Sequence, residues 1–395
     1  MMIYLNALGM VCPLGQTHTE IHRRLFAADS GVVATSHYSP GKTLSLGRIA
    51  QDDAALPSVA HLPLGQQSRN NRLALAALAQ IRHEVDAAIA RFGADRIGVI
   101  VGTSTSGIAE GEAAFSHHLQ QGVFPPEFDY AQQELGSVAQ ALAQTLGVSG
   151  PAYVHSSACA SSAKAMASAA RLIRMGLCDA VISGGVDSLC RFTVGGFDAL
   201  QSLSESRCNP LSAHRNGINI GEGAALFLMS SQPATVALRG WGESSDAYHI
   251  SSPDPEGGGA RLAIAQALSR ADISAGDIEY INLHGTATPQ NDAMESKVIH
   301  GLFGEHLPVS STKPLTGHAL GAASAVEAGL CWLTMQDDNA EGRLPPHLWD
   351  GVADSALPAL QVVAPGFRLG HPPRWVLSNS FAFGGSNAVL IFGRS

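Results

Sequence analysis

The chain predicts an α/β fold of two similar layered halves, and three observations carry that reading. Residues 151–185 hold a strand, helix, strand unit: PAYVH is a short apolar run, Ala158 to Met175 is rich in Ala and other helix formers, and AVISGG is a second apolar run. Residues 216–230 (NGINIGEGAALFLMS) and 378–392 (SNSFAFGGSNAVLIF) share a strand, glycine turn, strand pattern, and each closes one half of the sequence. With 45% hydrophobic residues, 14% charged residues and 42 glycines among 395 positions, the chain can bury a large core and still turn tightly.

Taken in order, the first half alternates a strand at 97–101, a helix at 138–146, the strand at 151–155, the helix at about 159–175 and the strand at 180–185. The second half offers a strand from Tyr280 to Leu283, a helix from about Ala293, and a helix from about Ala319 to Met335, before the closing strand pair. Identical residues between the halves are few, so the echo is one of pattern. No long linker, low-complexity tract or charge block interrupts the chain, which reads as one body.

Composition excludes several classes. No uninterrupted apolar run reaches membrane-spanning length and MMIYLNALGM lacks the basic start of a signal peptide, so no membrane span and a cytoplasmic location are expected. Cysteines at 12, 159, 178, 190, 208 and 331 form no CxxC pair and no zinc-ligand rhythm with the histidines, so free thiols and no metal site are expected. A net charge of −9 argues against nucleic-acid binding and leaves room for a local basic patch facing an acidic partner. Arg69 and Arg72 in SRNNR are candidates for such a patch, beside the plainer reading of solvated surface arginines.

Three residues stand out chemically. Cys159 in SSACASSAKA sits where an apolar strand meets a helix, and unpaired N–H groups at a helix entrance favour a thiolate. A lone cysteine among small residues is more often core packing. His284 in HGTATPQND and His318 in STKPLTGHALGAASAVE follow in equally distinctive settings, and together with Cys159 they point to nucleophilic catalysis on the sulfur.

These motifs, with Lys313 in STKPLTGH and Phe381 and Phe383 in NSFAFGGSN, resemble the β-ketoacyl-acyl-carrier-protein synthases of the Cys-His-His branch. The resemblance runs from GMVCPLG near residue 10 to the last strand, and several motifs in one order are far more specific than any single one. It implies a thiolase-like fold of two βαβαβαββ-type halves in five layers, divided as 1–235 with the nucleophile and 236–395 with the histidines. A dimer is implied, either of two copies or with a related ketosynthase-like subunit. Substrates would arrive on the phosphopantetheine arm of an acyl carrier protein, with no further cofactor.

By the same resemblance, Cys159 takes the acyl chain, and the N–H groups of Cys159 and Phe383 form the oxyanion hole. His284 and His318 donate to the enolate of a decarboxylating malonyl thioester. Lys313 maintains the electrostatics of the site, Glu327 supports it, and Phe383 with Phe381 gates the acyl pocket. Thr286 and Thr288 match positions that bond the phosphopantetheine arm, although threonines in such a stretch also serve simply as β-formers. Arg69 and Arg72 stand as carrier-protein contacts.

Two departures point away from housekeeping fatty-acid elongation and toward a specialised polyketide or polyene synthase. Residues 210–217 read PLSAHRNG where relatives place an aromatic-acid pair before an arginine-glycine segment, and Ala382 stands where glycine is usual. Two other classes compete. A thiolase needs a second reactive cysteine near the C-terminus, whereas Cys331 falls within an expected helix. A non-catalytic chain-length subunit lacks the nucleophile that this chain keeps.

Overall fold

Strands and helices succeed one another in the same order twice. The computed structural model describes residues 1–50 and 53–395. Its first half begins with β1 (Ile3–Val11), α1 (His18–Phe26), a separate hairpin of β2 (Val32–Thr35) and β3 (Leu44–Gly47), and α2 (Arg69–Gln80). It continues through α3 (Arg82–Phe92), β4 (Ile97–Gly102), α4 (Ile108–Gln121), α5 (Ser137–Leu146) and β5 (Ala152–His155). It closes with α6 (Ser161–Arg174), β6 (Ala180–Asp187), α7 (Arg191–Ala199) and β7 (Gly223–Ser230).

The second half runs β8 (Val236–Ser245), α8 (Gly258–Ala271), β9 (Tyr280–Asn282), α9 (Pro289–Phe303), β10 (Pro308–Ser310) and the short α10 (Lys313–Thr316). α11 (Ala323–Thr334), β11 (Gln361–Val362), β12 (Trp375–Ala382) and β13 (Ser386–Arg394) complete it.

Strand order within the halves is β5-β4-β6-β7-β1 and β10-β9-β12-β13-β8, the same permutation with the same senses. Each half therefore pairs two parallel neighbours with an antiparallel return. A short antiparallel contact, Ile3 opposite Leu238 and Tyr4 opposite Ala237, joins them edge to edge, and β11 adds one parallel strand beside β10.

Burial resolves five layers. α6 and α11 lie at the centre, where Ala163, Met166 and Ala170 meet Ala325 and Leu330 in one cluster with Phe227 and Phe392 from the two sheets. α2, α3 and α5 cover the outer face of the first sheet through Leu73, Val85 and Leu142. α8 and α9 cover the other through Ile264 and Val298. The same small-residue device recurs in both halves: a Cβ on Gly9 of β1 would fall 1.9 Å from the Ala77 carbonyl oxygen of α2, and one on Gly242 of β8 would fall 1.7 Å from the Ala263 oxygen of α8. Only glycine lets helix and strand approach that closely.

Three expected helix starts move, and one expected strand segment does not form. α6 starts at Ser161 because Ala158 is left-handed at φ +46°. α9 starts earlier than expected, with Thr288 at its cap and Pro289 as first residue, where a missing N–H costs nothing. α11 starts at Ala323 after a tighter turn at 320–322. Residues 216–222 are not a ladder strand, because Ile218, Ile220 and Gly221 each bridge a different segment (Leu203, His318 and Gly47).

Candidate active site

Cys159 sits on a strained turn between β5 and α6. The left-handed Ala158 costs about 1–2 kcal/mol, and the turn is tied by Ser157 N–H donating to Ser161 Oγ at 2.8 Å and Ser324 Oγ donating to the Cys159 carbonyl at 2.8 Å. Close approach of the helix entrance to the sheet needs Gly102, where a Cβ would lie 2.4 Å from Ser162 N. The sulfur lies 3.0 Å from His318 Nε2 and accepts from the Phe383 backbone N–H.

Burial pushes the Cys159 thiol up to about 11, against the opposing pull of the Lys313 charge and the Phe383 N–H. The resting group is therefore a thiol. This corrects the thiolate suggested by the helix entrance, since α6 begins two residues later and the sulfur is buried.

His318 is pinned through its backbone by the 218–221 segment: its N–H donates to Asn219 O at 2.6 Å and its carbonyl accepts from Gly221 N–H at 2.8 Å. Leu320 N–H donates to His318 Nδ1 at 3.1 Å. A neutral ring accepting at Nδ1 carries its proton on Nε2, the nitrogen that faces the sulfur.

His284 follows β9 and is held by different means. Glu295 of α9 accepts the N–H of His284 at 2.8 Å and of Gly285 at 2.7 Å, and takes Asn379 Nδ2 at 3.0 Å. Lys313 Nζ lies 3.4 Å from His284 Nδ1, also bonds the His284 carbonyl, and forms a buried ion pair with Glu327 Oε1. An ammonium only donates, so this ring also accepts at Nδ1 and keeps its proton on Nε2.

The two rings stand 5.4 Å apart at 89°. Burial, then the Lys313 charge, holds both well below the usual imidazole range, so both are neutral at neutral pH. Burial raises Glu327 to about 7 against the lowering effect of Lys313.

Thr286, Thr288 and Phe383 join Cys159 and the two histidines around a cavity of about 140 Å³. Phe383 is half-buried, its ring 5.5 Å from Phe197, and it precedes Gly384, which is exposed and left-handed at φ +80° with nothing within 4 Å of a Cβ position. Phe381 belongs to β12 and is buried beside His284, forming wall rather than hinge. Ala382 is extended, at φ −98°, so the alanine in place of glycine fits without strain.

One ligand atom from each of Cys159, His284 and His318 lies within 4.8 Å of the others, a convergence that spacing along the chain could not show. Such a set suits a thiophilic cation as well as acyl chemistry. Residues 3–234 match the β-ketoacyl synthase N-terminal domain, and residues 235–348 match its C-terminal domain. The chain belongs to the β-ketoacyl synthase family.

The 3-oxoacyl-[acyl-carrier-protein] synthase 2 of Staphylococcus aureus (strain COL) is 33% identical over 317 residues, covering 76% of this chain and 75% of that protein. Nodulation protein E of Rhizobium sp. (strain N33) is 32% identical over 409 residues, covering 99% and 98%. Among solved structures, a chain of the ketosynthase in complex with its chain length factor from Xenorhabdus doucetiae is 46% identical, with TM-score 0.93 and coverage of 100% and 98%. The thiolase-like fold and the condensing acyltransferase class follow from this membership.

Of the positions expected to serve this β-ketoacyl synthase, Cys159, His284, His318, Lys313, Glu327, Phe381, Phe383, Thr286 and Thr288 come together, and the Thr286 and Thr288 hydroxyls lie 2.9 Å apart at the cavity wall. Arg69 and Arg72 do not line it. Arg69 pairs with buried Glu222 at 2.8 Å, and Arg72 donates to the carbonyls of Leu56 and Pro57, so both guanidiniums are engaged inside the chain. Glu295 and Asn379, which fix His284, carried no mark in the sequence beyond an acid in the first turns of a helix. The divergent 210–217 segment is anchored to the 350–354 stretch: Ser212 and His214 bond Asp350, each at 2.8 Å, and Arg215 bonds Asp354 at 2.5 Å. Among the described residues, no helix is long and apolar enough to cross a membrane.

Proposed function

We propose that Cys159 accepts an acyl group from an acyl-carrier thioester and that His284 and His318 promote its condensation with a malonyl thioester. The sulfur attacks the thioester carbonyl and the carrier thiol departs. Loss of carbon dioxide from the malonyl group leaves an enolate, whose oxygen accepts the two Nε2–H groups. The enolate carbon attacks the acyl-Cys159 carbonyl, the C–S bond breaks, and a β-ketoacyl thioester two carbons longer leaves while the departing Cys159 thiolate takes up a proton from water. The N–H groups of Cys159 and Phe383 receive the oxyanion at each addition. Lys313 orients His284, its charge together with burial keeps both rings neutral, Glu327 pairs with the lysine, Thr286 and Thr288 bond the phosphopantetheine arm, and the chemistry uses no metal or further cofactor.

The observation that carries this reading is the sulfur at 3.0 Å from a ring nitrogen whose partner nitrogen is occupied by a backbone N–H. Cys159→Ala is expected to abolish condensation with malonyl-carrier protein, followed by product mass; a substantial remaining rate would sink the mechanism.

The chain is further read as the catalytic half of a heterodimer acting in a specialised polyketide or polyene pathway in the cytoplasm, with its own halves meeting near residue 235. Support comes from the full-length match to a ketosynthase and chain length factor complex and from the altered 210–217 segment. Co-expression with a related subunit that lacks the cysteine should yield a one-to-one complex more active than the chain alone. Equal activity of the isolated chain would favour a homodimer.

A further inference from the structure

Asp187 ends β6 completely buried, and nothing in the reaction above uses it. Its Oδ1 accepts four bonds, from Thr103 Oγ1 at 2.7 Å, Ser104 N at 2.7 Å, Thr105 N at 2.8 Å and Thr105 Oγ1 at 2.8 Å. Its Oδ2 accepts Gly321 N–H at 2.6 Å. One carboxylate thus ties the turn after β4, in the first half, to the turn after His318, in the second.

That second turn is under strain. Leu320 is left-handed at φ +48°, its N–H donates to His318 Nδ1, and its torsion directs the next N–H, that of Gly321, to Asp187. A leucine holds such a torsion only where its surroundings over-determine it. Gly321, the next residue, supplies the anchor: a Cβ there would lie 2.9 Å from Asp187 Oδ2 and 2.6 Å from Ser104 Oγ. All five donors to Asp187 are neutral, so its geometry is set by directional bonds and not by a cation.

We propose that Asp187 is a positioning residue that holds the 319–322 turn and thereby keeps the His318 proton on Nε2, the nitrogen facing Cys159. The functional consequence rests on His318 donating to the enolate; the tautomer itself does not. Without the anchor Leu320 relaxes, its N–H leaves Nδ1, and the ring samples the form that presents a lone pair to the sulfur. The donor is then lost for part of the time.

Nitrogen-15 histidine resonances of the complete protein test this without substrate. Wild type should show His318 with Nε2 protonated and Nδ1 bare, the assignment coming from the resonance lost in His318→Gln. In Asp187→Asn the amide oxygen stays with its four donors while the NH₂ group faces Gly321 N–H, donor against donor. That variant should show mixed tautomers and a kcat lower by roughly 10²-fold with KM unchanged. Thr105→Val, which removes one donor to Oδ1 and leaves Gly321 bonded, should melt earlier yet keep the wild-type ring resonance and kcat. If the Asn variant does not fold, Asp187→Ser, too short to reach Gly321, is read in its place. A wild-type proton on Nδ1, an unchanged resonance in the Asp187 variant, or an equal change in Thr105→Val would each overturn the proposal. Because the ring is observed without turnover, these outcomes stand apart from any failure of the condensing reaction.

Discussion

The two histidines reach the same tautomer by opposite routes. His284 is surrounded by ionisable side chains: Lys313 at its Nδ1, Glu327 behind the lysine, and Glu295 on its backbone. His318 is held by neutral backbone groups, with Leu320 N–H on its ring and Asn219 and Gly221 on its peptide. Both end neutral with the proton on Nε2. The difference teaches that charge sets one ring and chain geometry the other, so perturbations of charge and of backbone should separate them.

Deleting charge should hurt most. Lys313→Met leaves Glu327 buried without a cation, which typically costs about 3–5 kcal/mol, and denaturant unfolding should show it; adding Glu327→Leu should recover much of the loss. A cost near zero would mean that the pair is solvated and does not govern His284. His284→Ala should next lower malonyl decarboxylation by about 10²–10³-fold, as removal of an oxyanion donor does, while acyl loading of Cys159 continues at a reduced rate. Equal loss in both half-reactions would erase the division of labour.

Glu295→Gln is a milder probe of the same side. Its amide can accept only one of the two N–H groups of His284 and Gly285, a loss of about 1–3 kcal/mol, and decarboxylation should fall more than loading. A further probe concerns pH. Both rings are already neutral near pH 7, and a thiol raised to about 11 exposes more thiolate as pH rises. Alkylation of Cys159 by iodoacetamide should therefore climb roughly tenfold per unit from pH 7 to 9. A plateau below pH 8 would show a thiolate at rest and restore the helix-entrance expectation.

How far the sequence reached follows from where each cause lies along the chain. The strands and helices that were legible are those marked by local periodicity and glycine punctuation, and the exceptions include local strains at Ala158 and Leu320 that composition does not mark. Cys159, His284, His318, Lys313 and Glu327 were legible from contiguous motifs. Glu295 and Asp187 were not, since they act through backbone N–H groups, in the case of Asp187 on segments far apart in sequence, 103–105 and 321. Burial was the other blind spot. It reversed the expected direction for the Cys159 thiol and turned Arg69 from a surface charge into the partner of Glu222.

The central claim is that the sulfur carries the growing chain and that the histidines act on the second substrate. Intact-protein mass after mixing with a panel of acyl-carrier thioesters, followed by malonyl-carrier protein, tests it most directly. The account expects an acyl mass on Cys159 that disappears as a β-ketoacyl product two carbons longer forms. An adduct that persists after malonyl addition, or no adduct from any primer even with the partner subunit present, would contradict it.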